Sequence, residues 1–485
     1  MKRTKIVCTI GPSSNNEKIL TQMIKAGMNV ARLNFSHGTY AEHLKVIKLI
    51  RKASAKLGQP ITILQDLQGP RIRLGEIPKG GFVLQPKDTM ILATTPKAKF
   101  AKETKKTLAK IPVTYSKMHL DVKKGQRLLL VDGLITLKVL RVKAREIYCE
   151  VQNGGLIESH KGINLPETDL SIAPITEKDK RDLDFGIKNE VDMVAMSFVR
   201  SETDVNNLKR LIEKLEKKYF GKHAVPTQVV VKIEKPEAVK NFSKILKITD
   251  GVMVARGDLG IEMPPDKVPL IQKKTIEDCL AASKPVIVAT QMLDSMIYNP
   301  KPTRAEVSDV ANAVIDHTDA VMLSGETANG KYPVETVKMM SKIVIRTEKS
   351  KYDDLDFIRV FKNKVKLDEA ISSSANLLVK KIKPQAILVA TITGHTGRIV
   401  SRYRPELPIL ISTNNEKVKR QLNLSWGVIP FLLPKCKTIE ELTDKALAYI
   451  KLKKWVKSKD MVIIISGFPL GQSGNVNWIK IHEVK

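Results

Sequence analysis

Short apolar runs alternate with segments of helical period along the first two-thirds of the chain. The runs are Lys5–Gly11, Met28–Phe35, Ile61–Leu67, Val191–Phe198, QVVVKIE from Gln228, GVMVARGD from Gly251, Pro285–Thr290 and Ala320–Glu326. Between them lie amphipathic stretches such as EKILTQMIKAG and SETDVNNLKRLIEKLEKKYF. Strands covered by helices on both faces need near-continuous Val, Ile and Met, because neither face meets water. The alternation predicts eight βα units closing as a (β/α)8 TIM barrel, built from residues 1–69 and 173–347. Between the third and fourth runs the period changes to two, with turn signals at KKGQ, VDG and NGG, which predicts an inserted all-β domain over 70–172. An insertion after a barrel strand sits near the active face, so it reads as a lid, with Lys161 expected to reach down. Residues 348–485 read as a separate C-terminal α/β domain, with Glu348–Lys366 as the connection.

Polar residues gather where the barrel strands end. Arg32, Asn34, Asp66, Lys232, Glu234, Asp258 and Thr290 all fall on that rim. Lys232 and Glu234 close the fifth run, and Arg256 and Asp258 the sixth. Paired carboxylates suit a hard divalent ion such as Mg2+, and an adjacent lysine can neutralise a phosphoryl group in transfer. A salt bridge between strands explains one such pair, but not a whole rim.

Composition narrows the alternatives. A chain of 485 residues with 42% hydrophobic content supports about three cored domains. Four widely spaced cysteines suggest neither disulfide framework nor zinc site, and no run has the length of a signal or membrane segment, so a cytoplasmic, non-membrane protein is expected. The formal charge of +31 raises nucleic-acid binding. The lysines are dispersed, however, and the densest stretch, PKAKFAKETKKTLAK, has few aromatics for stacking, so no specific nucleic acid is expected. A metal-dependent barrel lyase or aldolase would also use a lysine and paired carboxylates on this rim.

The ordered segments CTIGPSS, MNVARLNFSHG, KGINLP, SFVRS, VKIE, MVARGDLGIE, VATQML, PTRAEVSDVANAV and MLSGETANGKYPVE closely resemble the signatures of pyruvate kinase, over essentially the whole chain. The resemblance implies Mg2+-dependent (or Mn2+-dependent) phosphoryl transfer from phosphoenolpyruvate to ADP in glycolysis, that is, ATP:pyruvate 2-O-phosphotransferase activity. It implies that Glu234 and Asp258 hold the metal, that Lys232 faces the phosphoryl group, that Arg32 and Arg73 bind phosphate oxygens, and that Thr290 lies where enolpyruvate is protonated. The backbone of Ala255, Arg256, Gly257 and Asp258 would bind the substrate carboxylate, and His37, Arg73 and Lys161 the nucleotide. Ser324 and Glu326 would be supports behind the site. In the C-terminal domain TITGHTGR is similar to the family's effector loop, which places a phosphorylated effector at Thr391, Thr393, Gly394, His395 and Thr396; a homotetramer is expected on the same ground. One departure stands out. Many relatives read DTKGPEIR at the third strand, where the glutamate goes with dependence on K+, and here the text is DLQGPRIR. Asn34, Ser36, Asp66 and Leu67 then read as a vestigial monovalent-cation site, with Arg71 as the substitute cation and K+ not required.

Overall fold

The computed structural model describes residues 2–95, 98–104, 107–353, 366–469 and 476–485. Eight parallel strands close into a barrel: β1 (Lys5–Thr9), β2 (Val30–Asn34), β3 (Thr62–Asp66), β4 (Met193–Met196), β5 (Gln228–Ile233), β6 (Gly251–Ala255), β7 (Val286–Ala289) and β8 (Ala320–Leu323). β1 pairs with both β2 and β8, which completes the ring. All residues of β1, β3, β4, β6, β7 and β8 are buried, as expected for strands packed inside the ring and under helices outside it.

The helices are delimited by their caps. Thr39, Ser201 and Thr303 each close a reciprocal capping box with Glu42, Asp204 and Glu306, and Gly27 ends Glu17–Ala26 in the left-handed conformation at φ 119°. Inside the barrel, Val7, Val30, Leu64, Met193, Val230, Met253, Ile287 and Met322 form a packed layer. That layer includes Leu424, which comes from the C-terminal domain and is fully buried.

Between β3 and β4 the chain builds an eight-stranded, mainly antiparallel sheet and a two-stranded one, with a four-residue helix at Met118–Asp121, and returns to the barrel through the helix Glu177–Lys188. Its strands Ile72–Arg73 and Gly162–Asn164 pair with each other where the chain leaves and re-enters the barrel. The C-terminal sheet runs in the order Val428–Leu432, Ile409–Thr413, Ala386–Ala390, Met461–Ser466, Trp478–Glu483, with only the last strand antiparallel. Of the connection expected at Glu348–Lys366, residues 354–365 lie outside the described residues, as does part of the lysine-dense stretch.

The C-terminal domain caps the floor of the barrel. Arg420 Nε donates to Asp192 Oδ1 (2.6 Å), Asn423 Nδ2 to the carbonyls of Asn29 and Pro60, and Gln421 Nε2 to those of Asp192 and Pro226. From the barrel, Lys5 Nζ donates to Val428 O (2.6 Å). These bonds tie the segments leading into β2, β3, β4 and β5 to the C-terminal domain.

Candidate active site

The opposite end of the barrel carries a cluster of alternating charge. Lys232, near the end of β5, places Nζ 2.7 Å from Glu234 Oε1, 2.9 Å from Ser197 Oγ and 3.6 Å from Asp66 Oδ1. Arg32, on β2, reaches Asp66 Oδ2 through Nε (2.7 Å) and Nη2 (2.6 Å), while its Nη1 donates to Thr9 Oγ1 (2.9 Å). The Phe198 amide donates to Glu234 Oε2 (2.7 Å), and Phe198 holds a left-handed φ of 55° in doing so. β1 thus supplies Thr9, β2 Arg32, β3 Asp66, the turn after β4 Ser197 and Phe198, and the end of β5 Lys232 and Glu234.

Burial works against every charge here, and the neighbours decide the outcome. Burial disfavours the Lys232 ammonium, yet Asp66, Glu234 and Asp258 outweigh it and raise its pKa, so it stays charged. Burial also opposes ionisation of Asp66, but Lys232 and Arg32 hold its carboxyl below the usual range. Glu234 goes the other way: burial pushes its pKa up, Lys232 resists, and the nearby charge of Asp258 adds to the push. A divalent cation placed between Glu234 and Asp258 would relieve that repulsion.

Asp258 stands on the helix Arg256–Glu262, since β6 ends at Ala255; Arg256 and Asp258 open a helix rather than closing a strand. The Arg256 guanidinium turns away from the rim onto Asp309 (Nη1–Oδ1 2.6 Å) and the carbonyl of Thr290 (2.7 Å), so it does not share a metal site with Asp258. Thr290 sits at φ 71°, a costly conformation for a β-branched residue. There its Oγ1 accepts the Gly257 amide (2.8 Å) and donates to Ala289 O (2.6 Å). Behind these strands, buried Glu326 accepts the amides of Leu293 (3.2 Å) and Ser324 (2.6 Å), tying the ends of β7 and β8 together.

Other expected residues lie apart from this cluster. Lys161 pairs with Glu158 (3.1 Å) on the lid instead of reaching down. Arg73 donates to the carbonyl of His160 (2.8 Å), and His37 is exposed, its carbonyl accepting from His43 Nε2 (3.0 Å). Arg71 touches Asp258 (Nη2–Oδ1 3.4 Å) rather than Asp66. Asn34 Oδ1 accepts the Ser36 amide (3.1 Å), and Leu67 is buried. At the C-terminal loop Thr391 Oγ1 accepts the Gly394 amide (3.0 Å), His395 pairs with Asp368 (3.0 Å), Thr393 O accepts from Arg398 (3.3 Å), and Thr396 is buried.

Sequence reasoning singled out neither Thr9, Ser197 nor Phe198, although CTIG and SFVRS contain them. Each acts by holding a charged neighbour, a role with no signature of its own. A cleft lined by Arg71, Asp132, Asn164, Lys235, Asp258 and Glu262 runs between lid and barrel beside this cluster.

Comparison with known proteins identifies the family. A family model described as "Pyruvate kinase, barrel domain" matches residues 1–337, and one described as "Pyruvate kinase, alpha/beta domain" matches residues 369–482. The chain is 44% identical to a pyruvate kinase of Geobacillus stearothermophilus, covering 100% of this chain and 80% of that one. It is 41% identical to a pyruvate kinase of Clostridium acetobutylicum, with both covered completely. A solved pyruvate kinase from Cryptosporidium parvum superposes with a TM-score of 0.91 at 36% identity, covering 100% of this chain and 96% of that one. Matched along its length in sequence and in fold, the chain belongs to the pyruvate kinase family of phosphotransferases.

Proposed function

We propose that the chain transfers the phosphoryl group of phosphoenolpyruvate to ADP, giving pyruvate and ATP, as a Mg2+-dependent step of glycolysis that does not need K+. The observation that carries the reading is the Arg32–Asp66–Lys232–Glu234 cluster on the rim, whose cations are fixed before any substrate arrives.

The donor set fits Mg2+. Glu234 Oε1 is buried and, apart from its ion contact with Lys232, makes no aligned hydrogen bond; Asp258 is partly open to the cleft. Among the described residues no cluster of three or more His, Cys, Asp or Glu side chains suits a metal. Mg2+ does not require one, because it commonly takes one or two carboxylates and fills its shell with water and substrate oxygens. Bound there, the ion neutralises charge on the transferring phosphoryl oxygens.

The protein's own groups do the rest. Lys232 and Arg32 present fixed positive charge to the phosphoryl oxygens, and their acidic partners keep them from swinging away. The substrate carboxylate lies against the backbone of Ala255–Asp258, where Gly257 brings no side chain. Thr290 Oγ1 is one end of a proton path to the enolate and must give up its bond to Ala289 O to donate. Arg73, Lys161 and His37 bind nucleotide once the lid rotates and frees Arg73 from His160 and Lys161 from Glu158.

Asp66 supports independence from K+. Both of its oxygens already face protein cations, so its charge is answered without an added ion. A cytoplasmic setting is part of the proposal; no helix among the described residues is long and apolar enough to cross a membrane. A homotetramer, and a phosphorylated effector at Thr391–Thr396, complete the proposal; light scattering, and calorimetry with a panel of phosphorylated metabolites, test them.

The central test follows phosphoenolpyruvate consumption with and without ADP in Mg2+ buffer, reading pyruvate through lactate dehydrogenase. Consumption that needs ADP is expected. Equal consumption without ADP overturns the proposal.

A further inference from the structure

Three pieces of the molecule meet at one oxygen atom outside the cluster described above. Glu262 Oε1 accepts from Lys235 Nζ (2.7 Å) and from Asn164 Nδ2 (2.8 Å). Lys235 follows Glu234 directly in sequence, Glu262 ends the helix that carries Asp258, and Asn164 ends a lid strand. Lys235 and Glu262 are both buried, and the other carboxylate oxygen, Glu262 Oε2, is buried without a hydrogen-bond partner.

Asp258 and Glu262 stand four residues apart and so share one face of the helix. On that face the lid makes two polar side-chain contacts to the helix: Arg71 at Asp258 and Asn164 at Glu262. Arg71 immediately precedes, and Asn164 ends, the paired strands Ile72–Arg73 and Gly162–Asn164, through which the lid joins the barrel. A hydrogen bond to a buried carboxylate is stronger than one between neutral groups, and this one exists only while the lid holds its present angle.

We infer that Asn164, Glu262 and Lys235 form a latch that sets the angle of the lid over the active site. They act as positioning residues: Asn164 grips the lid, Glu262 transmits the grip to the helix of Asp258, and Lys235 anchors Glu262 beside Glu234. One charge-assisted bond shifts a lid equilibrium by about tenfold, enough to bias the lid while leaving it free to open in each turnover. The effect on turnover rests on the proposed roles of Asp258 and Glu234, but lid position can be read without them.

The test uses the full chain with Cys436→Ser, and spin labels introduced by Lys138→Cys on the lid and Lys214→Cys on a barrel helix, both exposed. Pulsed dipolar spectroscopy then compares this protein with its Asn164→Ala and Glu262→Gln variants. Both are expected to broaden the distance distribution and to raise the KM for ADP about tenfold, with kcat within about threefold. Glu262→Gln keeps the side-chain shape, so it serves if Asn164→Ala folds poorly. Unchanged distances in both variants overturn the latch, even if activity falls. A released lid with unchanged KM for ADP overturns the positioning role, and inactivity of the parent protein would instead count against the proposed function.

Discussion

Replacing Arg71 by glutamate should turn the protein, which we propose works without K+, toward one that needs K+. The guanidinium lies 3.4 Å from Asp258, with side-chain exposures of 40% and 24%. At that separation two unit charges attract by about 1 kcal/mol with water-like screening and about 5 kcal/mol at an effective dielectric constant of 20. The exposure of both groups argues for the lower figure. Reversing the charge turns about 1 kcal/mol of attraction into about 1 kcal/mol of repulsion, a swing of about 2 kcal/mol, or about 30-fold in a rate or binding constant. Because Asp258 is a proposed metal carboxylate, the loss should appear as weaker substrate use that a monovalent cation partly restores. The assay is the coupled pyruvate reading in tetramethylammonium buffer with Mg2+, adding KCl at constant ionic strength. The parent protein should be unaffected by K+, and Arg71→Glu should be stimulated several-fold. Strong stimulation of the parent protein, or an Arg71→Glu variant indifferent to K+, refutes the reasoning.

Lys232→Met should lower turnover by at least about 100-fold. It should also cost about 3 kcal/mol of stability, because Asp66 and Glu234 lose a buried cation. Asp258→Asn should impair turnover similarly but leave the thermal midpoint nearly unchanged, so calorimetry beside the activity assay separates the two. Leu424→Ala should cost about 3 kcal/mol and, read by hydrogen exchange, loosen the amides of β1 and β3 as well as the C-terminal sheet; loosening confined to that sheet would contradict the packing. Asp353 is paired with Arg3 (3.2 Å) and lies near His317 (3.5 Å), and burial pushes its carboxyl up to about 7. The folded chain thus binds this proton more tightly than the unfolded chain. Relative to Asp353→Asn, the parent protein should lose stability as pH rises from about 4 to about 7, then run parallel to the variant, in thermal melts; a constant offset would show that Asp353 does not titrate in that range. His317, depressed to about 4 by burial and the neighbouring Arg404 and Arg3, is common to both proteins.

The barrel was legible because a strand buried on both faces has little choice but Val, Ile, Ala and Met, and the lid because its alternation reflects one covered face. The reach of long side chains was not. Lys161 and Arg73 bond to their own domain because that is what lies near them at this lid angle, a variable that no local sequence encodes. The partner of Arg71 lies 187 residues away, and that of Arg256 lies 53 residues away. The extent of β6 was misjudged for a local reason. ARGDLGIE carries no side-chain cap, so nothing in it marks where strand gives way to helix. Leu424, the second leucine of QLNLSWG, has no periodicity to announce that it belongs to another domain's interior.

That leucine has a consequence for how the chain is born. β8 leaves the ribosome about a hundred residues before Leu424 and the segment that satisfies the barrel's floor. At about 5–20 residues per second the nascent ring waits roughly 5–20 s with its lower end open to water. Through that interval the starts of β2–β5 lack the C-terminal side chains that later bond to them. A chain terminated just after β8 should therefore be a client for chaperones rather than an enzyme awaiting a regulator.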